Sequence, residues 1–199
     1  NISCHHSYSA LKKAYSIGGA TPQKYTEFLV DSFMIFEVER YHRNLKVQTR
    51  DSKKVYAIDT GLRNFNSKSL SQDSGKIIEN IVFCHLLRRD QSVFYFKENL
   101  ETDFVVVENS HAIEAIQVTD SNLENPELYK REIEGLAECL RFTGLKNGTL
   151  VTRNRRERLS IHKKEIEMVP LNDWLLKKWE YDKNPPTVQW GTHLAKILE

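Results

Sequence analysis

The sequence predicts an α/β protein made of two units, and three observations carry this prediction. Helical periodicity alternates with short apolar runs that are typical of strands. A polar, serine-rich stretch without periodicity separates an earlier from a later series of such elements. The later series carries several strand-like runs around one long helical segment, as expected of a mixed central sheet. We therefore expect a winged-helix-like module over residues 1–62, a linker over 63–74, an α/β domain over 75–180 and a tail over 181–199.

The composition is that of an ordinary globular protein. The chain has 199 residues, of which 40% are hydrophobic and 28% charged, with a net charge of +2 that neither requires nor excludes nucleic acid. No apolar run approaches the roughly 18 residues of a membrane span, and the polar start is unlike a signal peptide. Three widely separated cysteines argue against a disulfide framework. We expect a cytoplasmic fragment of a longer protein, without a membrane partner.

The first unit has the order of a winged helix. A helix over residues 7–16 precedes a second helix that starts at Thr21 as N-cap, with Pro22 in its first turn. A strand-like run over 33–38, a charged turn over 39–54 and a strand over 55–58 follow. The residues before the first helix, Cys4 among them, are expected to be a frayed terminus. In this layout the second helix is the recognition helix and the charged turn is the wing.

Basic side chains gather in and around the predicted wing. Lysine and arginine at these positions can bind phosphates and would make binding depend on salt. A solvated hairpin that packs on a neighbouring domain fits the same residues, because acids are interspersed among them. The candidate DNA-binding residues are Lys24, Arg40, Arg43, Lys46, Arg50, Lys53 and Lys54.

The predicted order of elements in the second unit is helix, three strands, helix and strand, followed by two more strands and a last helix. The spacing of apolar residues and the content of β-branched residues predict the bounds of these helices and strands. The predicted helices cover 76–89, 126–142 and 173–179, and the predicted strands cover 93–96, 102–107, 112–118, 148–152, 159–162 and 166–171.

Three polar residues stand out within these apolar elements. Glu79 interrupts the apolar face of a helix, Asp103 opens a strand, and Gln117 is a lone amide on the next strand. A partly buried carboxylate near a second one is costly unless it is compensated, so a shared polar pocket is expected. Alternatively, Glu79 pairs with Lys76 on the helix surface and Asp103 caps its strand.

Several stretches resemble a known family when they are taken together and in order. They are Lys54-Val55-Tyr56-Ala57-Ile58-Asp59-Thr60-Gly61-Leu62, Gly75-Lys76-Ile77-Ile78-Glu79-Asn80-Ile81-Val82-Phe83, Thr102-Asp103-Phe104-Val105-Val106 and Ile116-Gln117-Val118. They resemble the C-terminal region of prokaryotic AAA+-type ATPases that carry a DUF4143 domain, which has a restriction-endonuclease-like (PD-(D/E)XK) core. The resemblance implies that an ATPase module, absent from this chain, precedes a winged helix and a nuclease-like domain. The chain has no Gly-x-x-x-x-Gly-Lys-Ser/Thr loop to cradle a nucleotide phosphate.

The resemblance also implies a metal site with one departure from the nuclease pattern. Glu79 and Asp103 take the positions of the helix and strand acids that hold Mg²⁺, while Gln117 takes the position of a lysine. The residue two before Gln117 is Ala115 and not an acid, and Glu114 points to the other face of a regular strand. We therefore interpret Glu79, Asp103 and Gln117 as a vestigial or atypical catalytic set. No cofactor is expected in this fragment, and Mg²⁺ or Mn²⁺ at Glu79 and Asp103 only if the site is active.

These observations lead to a preferred function and two alternatives. The preferred function is a non-catalytic accessory region of a prokaryotic AAA+-type ATPase that binds double-stranded DNA or a protein partner. The first alternative is a metal-dependent DNA endonuclease that uses the atypical Glu/Asp/Gln site. The second is a structural or oligomerisation domain that makes no contact with nucleic acid.

Overall fold

The computed structural model describes residues 2–61, 74–89, 91–120 and 125–177. Within these ranges the chain forms nine strands and six helices. The helices are α1 (Tyr8–Tyr15), α2 (Thr21–Asp31), α3 (Leu45–Arg50), α4 (Ser74–Leu87), α5 (Pro126–Thr143) and α6 (Leu171–Leu176). The strands are β1 (Cys4–His6), β2 (Ile35–Val38), β3 (Lys53–Ala57), β4 (Ser92–Lys97), β5 (Glu101–Glu108), β6 (His111–Val118), β7 (Asn147–Thr152), β8 (Glu157–Ile161) and β9 (Lys164–Pro170). The prediction of an α/β protein with a mixed sheet is confirmed.

The N-terminal elements form a three-stranded antiparallel sheet in the order β1-β3-β2. Two expectations were wrong here. Cys4 belongs to strand β1 and not to a frayed terminus, because β1 pairs with the whole N-terminal part of β3. The predicted wing holds the short helix α3, which begins where the Asn44 side chain accepts the Lys46 N–H.

A third correction concerns the start of α2. Thr21 was expected to cap the helix, but Ala20 is the N-cap residue, without a side-chain hydrogen bond, and Thr21 is already helical. Pro22 lies in the first turn as predicted, where its missing N–H costs no helical hydrogen bond.

The larger sheet has six strands in the order β4-β5-β6-β7-β9-β8. Strands β4 to β6 form an antiparallel meander, whereas β6 pairs in parallel with β7, to which it connects through α5. Side chains alternate between the two faces of the sheet. Phe104 and Ile116 pack in one core cluster with α4, and Val105 and Ala115 pack in the other with α5, so these helices cover opposite faces.

The N-terminal sheet packs directly on the larger sheet. Tyr56 of β3 is fully buried in the same core cluster as α4 and β5, and its ring stacks on Phe83 with centroids 4.4 Å apart. Residues 39–41 continue along the outer strand β4: Tyr95 N–H donates to Glu39 O at 3.0 Å. The two predicted units therefore share one core. The linker predicted over 63–74 lies outside the described residues except for Ser74, which begins α4, and the tail lies wholly outside them.

None of the helices in the described ranges combines the length and apolar character needed to cross a bilayer.

Candidate functional site

The candidate site lies where β5 begins and β6 ends, beside the N-terminal half of α4. On β4, Phe94 and Phe96 pair with Val105 and Thr102, so one β4 residue faces two residues of β5. Asp103 is one of these two residues. A β-bulge of this kind re-aims side chains at a strand end. It places the Asp103 carboxylate in an open cleft of about 500 Å³ that Glu79, Gln117 and Glu132 also line.

Asp103 and Gln117 join the two strands through side chains. Asp103 N–H donates to Gln117 Oε1 at 3.1 Å, and Val118 N–H donates to Asp103 Oδ2 at 2.9 Å. Gln117 Nε2 then donates to Glu132 Oε2 of α5 at 2.5 Å. An amide can accept and donate at once, whereas a lysine can only donate. This need for an acceptor explains why glutamine, and not lysine, fits the position.

Lys54 reaches into the centre of the site from β3. Its Nζ lies 3.0 Å from Glu79 Oε1, 2.8 Å from Glu101 Oε1 and 2.9 Å from Asp103 Oδ1. The residue is only 3% exposed. The ammonium group therefore donates charge-assisted hydrogen bonds to Glu79 and Asp103 and forms an ion pair with Glu101. The negative charges around it, Asp103 first among them, raise the pKa of Lys54 well above its ordinary value, although burial alone would lower it.

Glu79 accepts two hydrogen bonds, one from Lys54 and one from the Tyr56 hydroxyl at 2.6 Å. These buried contacts agree with the expected shared polar pocket and not with the alternative, a surface pair between Glu79 and Lys76. Burial and the neighbouring Asp103 carboxylate raise the pKa of Glu79 to about 7, against the opposing effect of Lys54. Lys54 does not fully offset burial and the Asp103 charge at Glu79, so Glu79 takes up a proton near neutral pH.

Glu101 is bound from two sides. It accepts from Lys54 and contacts His5 Nε2 at 2.9 Å, a second link between the N-terminal sheet and β5. These partners lower the pKa of Glu101 well below its ordinary value despite its partial burial. Glu132, on the opposite side of the cleft, has its pKa raised by burial, with Arg131 and Gln117 acting against this effect.

The donor set does not fit a divalent cation. Mg²⁺ requires near-octahedral oxygen ligands at about 2.0–2.1 Å. Glu79, Glu101 and Asp103 instead turn one oxygen each toward the Lys54 ammonium. In the ranges that the structure describes, no cluster of three or more His, Cys, Asp or Glu side chains has an arrangement that could hold a metal ion. The site in this form is a charge cluster that joins β3, α4 and β5.

Glu114 lies away from the cleft, as strand alternation predicts. Its carboxylate pairs with Arg89 near the end of α4, at 2.5 Å from Nη2. The α4 helix covers the opposite face of β6 from the one that Gln117 uses. The third acid of a nuclease-type set is therefore not supplied by this strand.

The seven basic residues predicted to bind DNA divide into two groups. Arg40 pairs with Asp51 and Glu98, and Lys53 pairs with Glu37. Lys54 is buried. The Arg43 guanidinium donates to Phe142 O at 2.9 Å and lies over the Phe142 ring. Lys24, Lys46 and Arg50 are exposed and form the second group.

Sequence reasoning missed Lys54, Glu101 and Glu132 as members of the site. A signal was present for two of them. Lys54 shares a strand face with Tyr56, and Glu132 precedes the apolar residues Leu136 and Leu140 at helical spacing, so both were charges at core positions. Glu101 carried no such signal, because it precedes the apolar run of β5.

Comparison with known proteins finds a family match for the N-terminal part of the chain and relatives in two organisms. Residues 1–73 match the family described as Domain of unknown function (DUF8612). The chain is similar to an uncharacterized protein of Methanocaldococcus jannaschii, with 33% identity over 165 residues, covering 76% of this chain and 35% of the relative. An uncharacterized protein of Haemophilus influenzae is 28% identical over 158 residues, covering 79% of this chain and 37% of the relative. The chain thus spans about a third of the length of these relatives, and no solved structure matches it significantly.

Proposed function

We propose that this chain is a non-catalytic accessory region of a prokaryotic AAA+-type ATPase, in which a winged-helix-like unit is fastened to a nuclease-like domain by Lys54. The observation that carries the proposal is the position of the Lys54 ammonium, within 3.0 Å of Glu79, Glu101 and Asp103. It occupies the space between the acids that a catalytic metal would need.

Two features of the fold support the nuclease-like assignment of the second unit. The order α4, β4-β5-β6, α5, β7 gives a meander followed by a crossover helix, an order that is compatible with a restriction-endonuclease-like core. The two acids and the amide that the resemblance picks out, Glu79, Asp103 and Gln117, line one cleft. The ATPase assignment rests on the sequence resemblance, and the greater length of both relatives is compatible with a further module.

A protein partner fits the exposed surface better than DNA does. Four of the seven candidate phosphate ligands are engaged within the chain, and the arginine-rich turn after β7 is similarly occupied: Arg153 pairs with Asp120 and Arg156 with Asp173. The paired carboxylates offset the local positive charge that attracts a phosphate backbone. DNA is the second candidate, favoured by the exposure of Lys24, Lys46 and Arg50.

A plasmid-cleavage assay with Mg²⁺ or Mn²⁺ tests the non-catalytic assignment. We expect no nicking above background by the chain, and the same result for an Asp103→Ala variant purified in parallel. Nicking by the unmodified chain that disappears in Asp103→Ala would show that the site is active and the proposal wrong. The ATPase assignment has its own test, because the full-length Methanocaldococcus jannaschii relative is expected to hydrolyse ATP.

Binding to a labelled DNA duplex, followed by fluorescence anisotropy, separates the two candidate partners. Each phosphate contact contributes a slope of about −0.9 to the dependence of log affinity on log salt. Three exposed basic residues therefore limit the loss of affinity between 50 and 200 mM salt to about 40-fold. A steeper loss, diminished in Lys46→Glu and Arg50→Glu variants, would favour DNA as the partner.

A further inference from the structure

The α2 helix presents an apolar face to solvent. Tyr25 and Phe28 are 65% and 66% exposed, their rings make an edge-to-face contact, and Leu29 lies beside them. The residues that α2 buries are Pro22 and Thr26, on the other side of the helix. An amphipathic helix normally turns its aromatic residues to the core. In α2 the aromatic residues face outward, so the residues described here leave this face uncovered.

The apolar face continues past the end of α2. Phe33 and Met34 are 43% and 41% exposed. Phe33 has a positive φ of 57°, in the left-handed conformation that glycine usually provides at a helix C-terminus. Its N–H donates to Val30 O, and Met34 N–H donates to Leu29 O, as in a Schellman motif. A β-carbon in this conformation costs about 1 kcal/mol, and the chain nevertheless keeps an aromatic residue at this position.

Opposite charges flank the apolar face. Lys24 and Asp31 are both exposed residues of α2. They are seven residues apart, which in an α-helix is nearly two full turns, so they lie on the same edge of α2 about 10 Å from one another. Phe28 lies between them along the helix. The face thus has a cation at one end, an anion at the other and aromatic residues in the middle, while Glu27 on the same edge accepts a hydrogen bond from Gln23 Nε2 at 2.9 Å.

From this arrangement we propose that the α2 face binds a second copy of this chain. If two α2 helices pack antiparallel about a two-fold axis near Phe28, Lys24 of each copy meets Asp31 of the other, twice by symmetry. The exposed rings of Tyr25 and Phe28 then bury one another. The reversal of charge along one edge is the pattern that an isologous contact requires. The inference goes beyond the proposed function, since α2 shares no residue with the acidic cleft.

Sedimentation equilibrium of the 199-residue chain tests this inference. We expect a monomer–dimer equilibrium in the range up to about 100 μM, and a Phe28→Glu variant that dissociates at least about tenfold more readily, because each copy loses an aromatic contact at the axis. The control is Leu45→Glu, which changes a 73%-exposed leucine on α3 and is expected to leave the equilibrium unchanged. A chain that stays monomeric, or dimers that survive Phe28→Glu, would overturn the proposal.

Charge reversal distinguishes a second copy from any other partner. Lys24→Asp alone and Asp31→Lys alone each replace two attractive pairs with two repulsive ones, and each is expected to weaken the dimer by about threefold to tenfold. The double variant exchanges the charges, so both pairs form again and the affinity should return to the original value. Single variants without effect, or a double variant that is weaker than either single variant, would contradict the antiparallel contact.

Discussion

The N-terminal unit has two surfaces of opposite character. On one side β3 presents Lys54 and Tyr56, which enter the larger domain and are 3% and 0% exposed. On the other, α2 presents Tyr25 and Phe28, which are largely exposed. The buried surface is the more polar of the two, with an ammonium and three carboxylates at its centre, while the apolar surface is open.

The β3 surface stabilises the folded chain, whereas the α2 face is available for association with another molecule. Every charged group in a buried ion cluster must have a partner, because an unpaired buried charge is strongly destabilising. The cluster around Lys54 therefore fixes the relative position of β3, α4 and β5. The exposed side chains of the α2 face, Tyr25 and Phe28, make no comparable buried contacts with the described residues. Substitutions on the β3 side should therefore change stability, whereas substitutions on the α2 side should change association and leave stability within about 0.5 kcal/mol.

The largest expected effect comes from breaking the β3 surface with Lys54→Met. The substitution keeps most of the side-chain volume but leaves Glu79, Glu101 and Asp103 without their shared cation. Removing one partner from a buried charge cluster costs about 3–5 kcal/mol. We expect a loss of this size in urea unfolding at pH 7.5, and a smaller loss at pH 5.5, where Glu79 is protonated.

Lys53→Met is the matched control for this variant. Lys53 is the preceding residue of the same strand, but its side chain is partly exposed and pairs with Glu37 at 2.9 Å. A partly buried lysine with one close carboxylate costs less to remove than the cation of a buried cluster, so we expect a loss of about 1–2 kcal/mol for Lys53→Met. Equal losses for the two lysines would show that the cluster around Lys54 does not fasten the units.

Much of the fold could be predicted from the sequence, because the strands of the larger sheet carry alternating or continuous apolar patterns and α5 is bounded by Pro126 and Gly144. The site could be predicted only in part. Glu79, Asp103 and Gln117 are polar residues inside apolar elements, which is a local signal. That Lys54 is the cation among them depends on the docking of β3, a long-range contact that no spacing along the chain records.

The second substitution that tests the β3 side is Asn80→Leu. Asn80 is fully buried on α4, where it accepts the Ala57 N–H and donates to Ala57 O, both at 2.9 Å. Leucine has a similar volume but leaves the Ala57 N–H without an acceptor and the Ala57 O with only the weak Cys84 Sγ donor at 3.4 Å. Each unsatisfied buried group costs about 1–3 kcal/mol, so we expect the free energy of unfolding to fall by about 3 kcal/mol. Urea unfolding followed by circular dichroism measures it.

The control for Asn80→Leu is Asn147→Leu at the exposed start of β7. A surface substitution of this kind should change stability by no more than about 0.5 kcal/mol. If Asn80→Leu were equally mild, the end of β3 would not depend on α4, and the contrast between the two surfaces would rest on Lys54 alone.

The smallest of the three effects is the pH dependence that Glu79 confers. Its pKa of about 7 in the folded chain lies above the ordinary value of 4.5, so the folded state binds the proton more tightly than the unfolded state. Stability contributed by this group is therefore fully present below pH 4.5 and decreases as the pH rises toward 7. Between pH 5 and pH 7 the decrease amounts to about 2 kcal/mol.

Glu79→Gln removes this titration while keeping an oxygen that accepts from Lys54 and Tyr56. Its unfolding free energy, measured by urea titration at several pH values, should lack the 2 kcal/mol decrease that the unmodified chain shows between about pH 5 and 7. Glu101→Gln should not flatten this window, because the pKa of Glu101 is lowered and its effect lies at acid pH. Identical pH profiles for Glu79→Gln and the unmodified chain would mean that Glu79 is ionised throughout, and that Lys54 neutralises the cluster more completely than we infer.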